Sequence, residues 1–323
     1  MGGSARRGLG VLLMAVGLAA LAPPAAAQAY PARPVRIVVP FPAGSAGDIA
    51  ARVVAAELQG SLGGSFIVDN RPGAQGTVGT EHAARSPADG YTLLLAAISF
   101  AAAPSEFRKL NYDPVKDFEP LAMIGTLPLA LMVKPDFPAR DVPGFLAHAR
   151  ARSTPLTGGY GSSSSRVSIA QLRALAGVRI DEVSYKGIPP AITDVIAGAT
   201  DLTFADLGNA LAQVKAGTLR ALAVTSARRS TLAPDIPAMA ETVPGYDLYA
   251  WIALVVPTGT PKDIADLLHA EIAKGLTRAK PQATLAVSGF SPAPMGREEL
   301  GRFIASEVVR WGQLNRAAGI EPQ

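Results

Sequence analysis

The sequence predicts an α/β protein with mainly parallel sheets flanked by helices, divided into two domains. Three observations lead there. Short apolar runs rich in β-branched residues alternate with stretches of helical periodicity along nearly the whole chain. A strand, a small polar turn and a helix recur as one device at 42–48, 73–80, 161–166, 186–190 and 205–210. The patterning changes near Lys134, and Ala250–Val256 reads as a strand returning to the first domain. Alternation with short turns gives parallel sheets covered on both faces. The expected boundaries are a leader at 1–29, a first domain of 30–130 plus 251–323, and a second domain of 131–250.

The first device organises the rest. Val35, Ile37, Val38 and Val39 suit a buried strand, and Pro40 and Pro42 end it because proline donates nothing to a sheet ladder. Ala43-Gly44-Ser45-Ala46-Gly47 leaves backbone N–H groups open. Asp48 stands where a helix N-cap is wanted, with Ile49, Val53 and Leu58 at helical spacing beyond it. Phe66–Asp69 reads as a second strand, and NRPGAQGTVG at 70–79 as a glycine-rich turn. A short helix through 81–84 is stopped by Pro87, and Tyr91–Ala97 is a third strand with Ser99 just past its end. Leu121–Val133 reads as a strand pair broken at Pro128.

In the second block, Val142–Ala151 is an amphipathic helix and Leu156–Gly161 a strand. Ser162–Ser165 forms a serine-only turn before a helix at 167–175, which Gly177 ends. Val183–Gly187 is a strand end and turn, and Pro190 suits the first turn of a helix at 191–197. Leu202–Asp206 is a strand, 210–214 a helix and 219–225 a strand. Two helices close the chain, 261–278 and 298–317.

Composition narrows the function. Hydrophobic residues make up 49% and charged ones 17%, which describes a chain with a full core. Aromatics at 6% argue against a stacking surface for nucleic acid, and no Lys/Arg stripe forms despite a pI near 9.4. The absence of cysteine excludes disulfides, thiolate metal sites, a cysteine nucleophile and a lipid anchor on cysteine. Arg6 and Arg7, the apolar run Val11–Leu21 and the small residues Ala25–Ala29 have the form of a cleavable secretory signal. The run is too short for an ordinary membrane span. The expected mature protein is soluble and lies outside the cytoplasm.

A strand feeding a small-residue turn and a helix start is an anion site, because the first-turn N–H groups lack partners and the helix dipole favours negative charge there. The turn at Ala43–Asp48 is therefore read as holding a ligand carboxylate. Asp48 either caps its helix or meets a ligand ammonium, and Lys186 either pairs with a ligand carboxylate or lies solvated. GAQGTVG departs from the dinucleotide fingerprint, with G-x-x-G spacing and Pro72 before it. His82, His148 and His269 stand isolated, so no metal or cofactor is expected.

The segments PVRIVVPFPAGSAGDIAAR, VDNRPGAQGTVGTEHAARSPADGYTLLL, YDPVKDFEPLAMIG, SYKGIPPAITDVIAGATDLTFADL, LRALAVTSARRS, AWIALVVPTGTPKDI and RWGQLNRAAGI occur in this order. Together they resemble the periplasmic substrate-binding proteins of tripartite tricarboxylate transporters, the Bug family, over nearly all of 30–320. The resemblance implies a two-domain venus-flytrap fold of the type II periplasmic binding class. It implies a di- or tricarboxylate, amino acid or aromatic acid as ligand, held by backbone groups and waters without an arginine clamp. It implies the periplasm as location and membrane permease subunits as partners, and the chain is expected to be a monomer.

Carried over position by position, the ligand contacts expected are Phe41, Ala43, Gly44, Ser45 and Asp48 in the first turn, and Gly76 and Thr77 in the second. Ser99 follows the third strand, and Ser163, Ser164 and Ser165 lie in the serine turn. Tyr185 and Lys186 precede Gly187, and Asp206 follows the Phe204 strand. Two alternatives stand beside this reading. A secreted α/β hydrolase-like enzyme would use a serine of 162–165 and needs a histidine within reach, His148 being nearest in sequence. A sensing subunit would present its closed form to a membrane kinase instead.

Overall fold

A computed structural model describes residues 30–317 and 319–322, so the expected leader lies outside the described residues. Those residues form nine strands and ten α-helices. The strands are β1 (Val35–Val39), β2 (Phe66–Asn70), β3 (Thr92–Ala97), β4 (Phe118–Val133), β5 (Leu156–Tyr160), β6 (Ile180–Ser184), β7 (Leu202–Asp206), β8 (Arg220–Val224) and β9 (Tyr249–Pro257). The helices are α1 (Ala46–Leu62), α2 (Thr77–Ala84), α3 (Ile98–Glu106), α4 (Val142–Ala151), α5 (Ser163–Ala176), α6 (Ile188–Ala197), α7 (Leu207–Lys215), α8 (Lys262–Leu276), α9 (Ala279–Val287) and α10 (Arg297–Ala317).

The strand order is β2-β1-β3-β9-β4-β7-β5-β6, with β8 also paired to β4. Parallel pairs occupy the outer parts: β1 with β2 and β3, and β5 with β6 and β7. The middle is antiparallel, because β9 pairs β3 and β4, and β4 pairs β7 and β8. The sheet is therefore mixed. Parallel βαβ units need a covering helix between strands, whereas β4 and β9 cross the middle side by side without one.

β4 is one strand of 16 residues rather than a pair broken at Pro128. Pro128 faces Tyr249 at the last register position of the β9 pairing, and from Leu129 onward β4 pairs β7. The missing proline donor falls where the strand changes partners, so no continuous ladder is interrupted.

Helix α1 buries Ala46, Ala50, Val54 and Leu58 at a spacing of four, one stripe of a 3.6-residue helix. Burying Val54 and Leu58 contributes roughly 1.5–3 kcal/mol each. The stripe packs on β1 and β2 and against α8. Helix α3 has no counterpart in the sequence reading; its Pro104 stands within the last turn, and Ala101–Ala103 ahead of it are strong helix formers. Helix α5 begins at Ser163, so three of the four serines belong to the helix and not to a preceding turn. The expected single helix over 261–278 is α8, ending at Leu276, and α9 then starts at Ala279.

Candidate functional site

Five helices begin at the wall of one cavity. Helix α1 contributes Ser45, Ala46 and Gly47, and α3 contributes Ala97, Ile98 and Ser99. Helix α5 contributes Gly161, Ser162 and Ser164, α6 contributes Gly187 and Ile188, and α7 contributes Asp206. Phe41, Pro42, Leu127, Ala250, Trp251 and Ile252 complete the wall around about 530 Å³ of space free of protein atoms.

The chemistry follows from helix termini. Each N-terminus leaves N–H groups unpaired and carries about half a positive charge. Among the described residues no lysine or arginine lines the cavity, so its positive potential comes from backbone dipoles. Hydroxyls add to it. Ser45 caps α1, its Oγ accepting the Asp48 N–H at 3.2 Å, which leaves the hydroxyl proton free to donate. Ser164 Oγ lies 2.9 Å from Ser162 Oγ, the cap of α5.

Of the residues expected from the sequence, Phe41, Ser45, Ser99, Ser164 and Asp206 line this cavity. The others stand outside its wall, each with a physical reason. Asp48 is the third residue of α1, not its cap. Its buried carboxylate accepts hydrogen bonds from Gly44 N–H at 3.0 Å, from Arg52 Nε and Nη2 at 3.0 Å and from Asn70 Nδ2 at 2.9 Å. Burial pushes that carboxyl up, but the donors outweigh it and hold it below the ordinary range. Ala43 and Gly44 are exposed.

The second glycine turn supports the cavity from behind. Gly76 adopts φ +98°, open to glycine, and a Cβ there would stand 3.2 Å from Ser99 Oγ. Thr77 donates to Ala74 O at 2.9 Å. Ser163 donates to the buried Glu106 of α3 at 2.9 Å, and Ser165 Oγ accepts the N–H groups of Gly161 and Ser162 at 3.1 Å. Tyr185 donates its hydroxyl to Asp194 at 2.6 Å, and Lys186 is exposed. Arg166 turns to Glu182, 3.0 Å away.

Asp206 differs from the other acids. It occupies the N-cap position of α7 but makes no capping hydrogen bond. Burial raises its pKa to about 6, with a hydrogen bond from Asn209 acting the other way.

The cavity wall also contains residues that sequence reasoning did not single out. Ala250, Trp251 and Ile252 come from β9, read only as a strand returning to the first domain, and Leu127 from β4 beside it. Ala97 and Ile98 belong to the strand-to-helix junction for which no helix was expected. Gly187 and Ile188 lie at the turn before α6, where a Cβ on Gly187 would approach Pro42 Cγ to 2.7 Å. The turn before α6 thus presses on the turn before α1.

A larger groove, with about 1090 Å³ of free space, runs between α8, α9 and residues 290–295. Its walls are mostly apolar helix flanks, among them Leu276 and Leu285, together with the C-terminal end of α8. It lacks the convergent N–H donors of the first cavity. Among the described residues no group of three or more His, Asp or Glu side chains is gathered to hold a metal ion.

Two half-sheets joined by long antiparallel strands, with helix starts from both halves meeting at one cavity, define a periplasmic-binding-protein fold. The solved structure of the periplasmic binding protein BugD shares it, with a TM-score of 0.86 and 31% identity over 91% of this chain and 100% of that one. The profile of the tripartite tricarboxylate transporter family receptor matches residues 50–320. The chain belongs to that family. It is 35% identical to protein BugT of Bordetella pertussis, over 96% of both chains. It is also similar to Rpa4515 of R. palustris, solved with adipate, with a TM-score of 0.88 and 33% identity over 91% of this chain and all of that one. MatC of Rhodopseudomonas palustris, solved with malate, matches with a TM-score of 0.82 and 29% identity over 88% and 99% of the two chains.

Proposed function

We propose that this chain is a periplasmic solute receptor that closes two lobes on one small carboxylate ligand and delivers it to the permease subunits of a tripartite transporter. The lobes are residues 30–130 with 251–323, and residues 131–250. The observation that carries this reading is the convergence of five helix N-termini, two from the first lobe and three from the second, on a cavity without a basic side chain. The dicarboxylates held by Rpa4515 and MatC support the same ligand chemistry.

The energetics suffice without a salt bridge. Micromolar binding needs about −8 kcal/mol. Hydrogen bonds to charged oxygens contribute roughly 1.5–3 kcal/mol each, so several amide and hydroxyl donors reach that total. Closure excludes water and lowers the local dielectric, which strengthens each bond.

The leader at 1–29 directs export and is removed, and with no cysteine the mature chain carries no cysteine-linked lipid. Among the described residues no helix is long and apolar enough to cross a membrane. The receptor acts as a monomer and without catalysis. A serine hydrolase needs a histidine at its nucleophile, and His148 packs edge-on against Phe137, with ring centroids 5.1 Å apart.

The test is calorimetric titration of the mature protein with dicarboxylates, tricarboxylates, amino acids and aromatic acids. At least one class is expected to bind at micromolar concentration, and Ser45→Ala with Ser164→Ala to weaken it. Silence across the whole panel overturns the reading.

A further inference from the structure

We propose that the ligand carries an amino cation as well as a carboxylate, and that Asp206 receives the cation. The inference rests on the carboxylate-receptor reading and names the ligand class within it. Adipate and malate each bear two carboxylates. In this cavity a second carboxylate would share the space with the Asp206 carboxyl, and among the described residues no lysine or arginine lines the wall to neutralise the pair. Like charges in a water-poor site repel strongly. A zwitterion removes the conflict: its carboxylate takes the amides and hydroxyls at the helix starts, and its ammonium takes Asp206.

The geometry at Asp206 favours this role. An acid at an N-cap ordinarily turns back onto the first-turn amides of its helix. Asp206 makes no such bond and lines the cavity instead. Charged groups on the elements packed around it are engaged elsewhere. Arg166 and Arg173 of α5 pair with Glu182, and Asp194 of α6 holds the Tyr185 hydroxyl. Arg220 of β8 donates to Ala139 O, and Lys215 is exposed at the far end of α7. None of them acts electrostatically on Asp206. Burial holds its carboxyl up at about 6, and an ammonium partner would relieve that penalty.

The experiment titrates the mature protein and Asp206→Asn with a panel of α-amino acids and a panel of aliphatic dicarboxylates, at pH 8 and pH 5. Amino acids are expected to bind the parent protein at pH 8. They should lose about tenfold at pH 5, where Asp206 takes up a proton. At pH 8 they should lose tenfold or more in Asp206→Asn, the worth of one charge-assisted hydrogen bond, and the variant should lose little more on going to pH 5. Dicarboxylates should change in the opposite direction, binding better to Asp206→Asn and better at pH 5. Circular dichroism establishes that the variant is folded, and the gain in dicarboxylate binding cannot come from misfolding. Dicarboxylate binding at pH 8 with no amino-acid binding overturns the proposal and leaves the carboxylate-receptor reading standing. Amino-acid binding unaffected by Asp206→Asn also overturns it. Silence of both panels in all conditions overturns the proposal, and the reading beneath it falls only when tricarboxylates and aromatic acids are silent as well.

Discussion

Trp251 and Trp311 donate their indole N–H groups to the same oxygen, Oε2 of Glu307, at 2.7 and 2.9 Å. They are the only two tryptophans in the chain. Glu307 is buried, and its other oxygen accepts from Arg310 at 3.0 Å. One acid thus ties the closing helix α10 to β9. Only Trp251 lines the cavity.

That asymmetry predicts which tryptophan reports binding. A ligand in the cavity changes the polarity around Trp251 and leaves Trp311 in the core. Trp311→Phe is expected to keep a ligand-dependent change in emission, and Trp251→Phe to lose it. A titration in which the two variants respond alike contradicts the placement of the cavity.

Glu106 is fully buried between α3, α5 and α10, accepting from Ser163 at 2.9 Å and from Asn315 at 3.4 Å. Burial raises its pKa against the opposing influence of Ser163, Arg166 and Asn315. A raised carboxyl contributes stability that is present below its unfolded pKa, about 4.3, and lost as pH rises through the folded value. Glu106→Gln stays neutral throughout. Relative to the parent protein it should therefore gain stability between pH 4 and pH 7 in urea unfolding. A difference independent of pH refutes the assignment.

Asp48 behaves in the opposite sense, because its donors hold the pKa down. Its contribution is present above the unfolded pKa and lost as pH falls through the folded one. Asp48→Asn should cost about 1–2 kcal/mol at pH 7, from weakened charge-assisted hydrogen bonds. The gap should narrow below pH ~4. Urea midpoints at pH 7 and pH 3.5 measure it.

Gly187 has φ near 175°, extended backbone that any residue adopts, so only its contact with Pro42 constrains it. Gly187→Val puts a branched side chain where a single Cβ already reaches 2.7 Å. Ligand affinity is expected to fall about tenfold or more by overpacking of 1–3 kcal/mol. A thermal midpoint close to the parent value would show that the loss lies in closure. Full affinity in this variant would mean that the two turns separate without consequence.

The periodicity made β1, β3, β7 and the flanks of α1 and α8 legible, because a buried strand or an amphipathic face needs no distant partner to be recognised. What escaped depends on partners. Asp48 looked like a cap because it precedes an apolar stripe, yet Ser45 three residues earlier does that work and leaves Asp48 to bind Arg52 and Asn70. The serines at 163–165 looked alike, but only Ser164 reaches the cavity wall, while Ser163 meets Glu106 and Ser165 closes the cap. Gly76 was read as a ligand contact; that a Cβ there would stand 3.2 Å from Ser99 Oγ emerges only when α3 is in place.

The crossing of β4 and β9 has a consequence for how such receptors diversify. Pro128 and Tyr249 lie opposite each other on adjacent antiparallel strands, and such partners are separated by about 5 Å. Everything between them, including three of the five helix starts, forms a cassette whose two ends emerge side by side. Exchanging that cassette with one from a relative leaves the entry and exit of the chain unchanged. Three of the five helix starts at the cavity wall can thus be replaced in one recombination event while the other two are inherited intact.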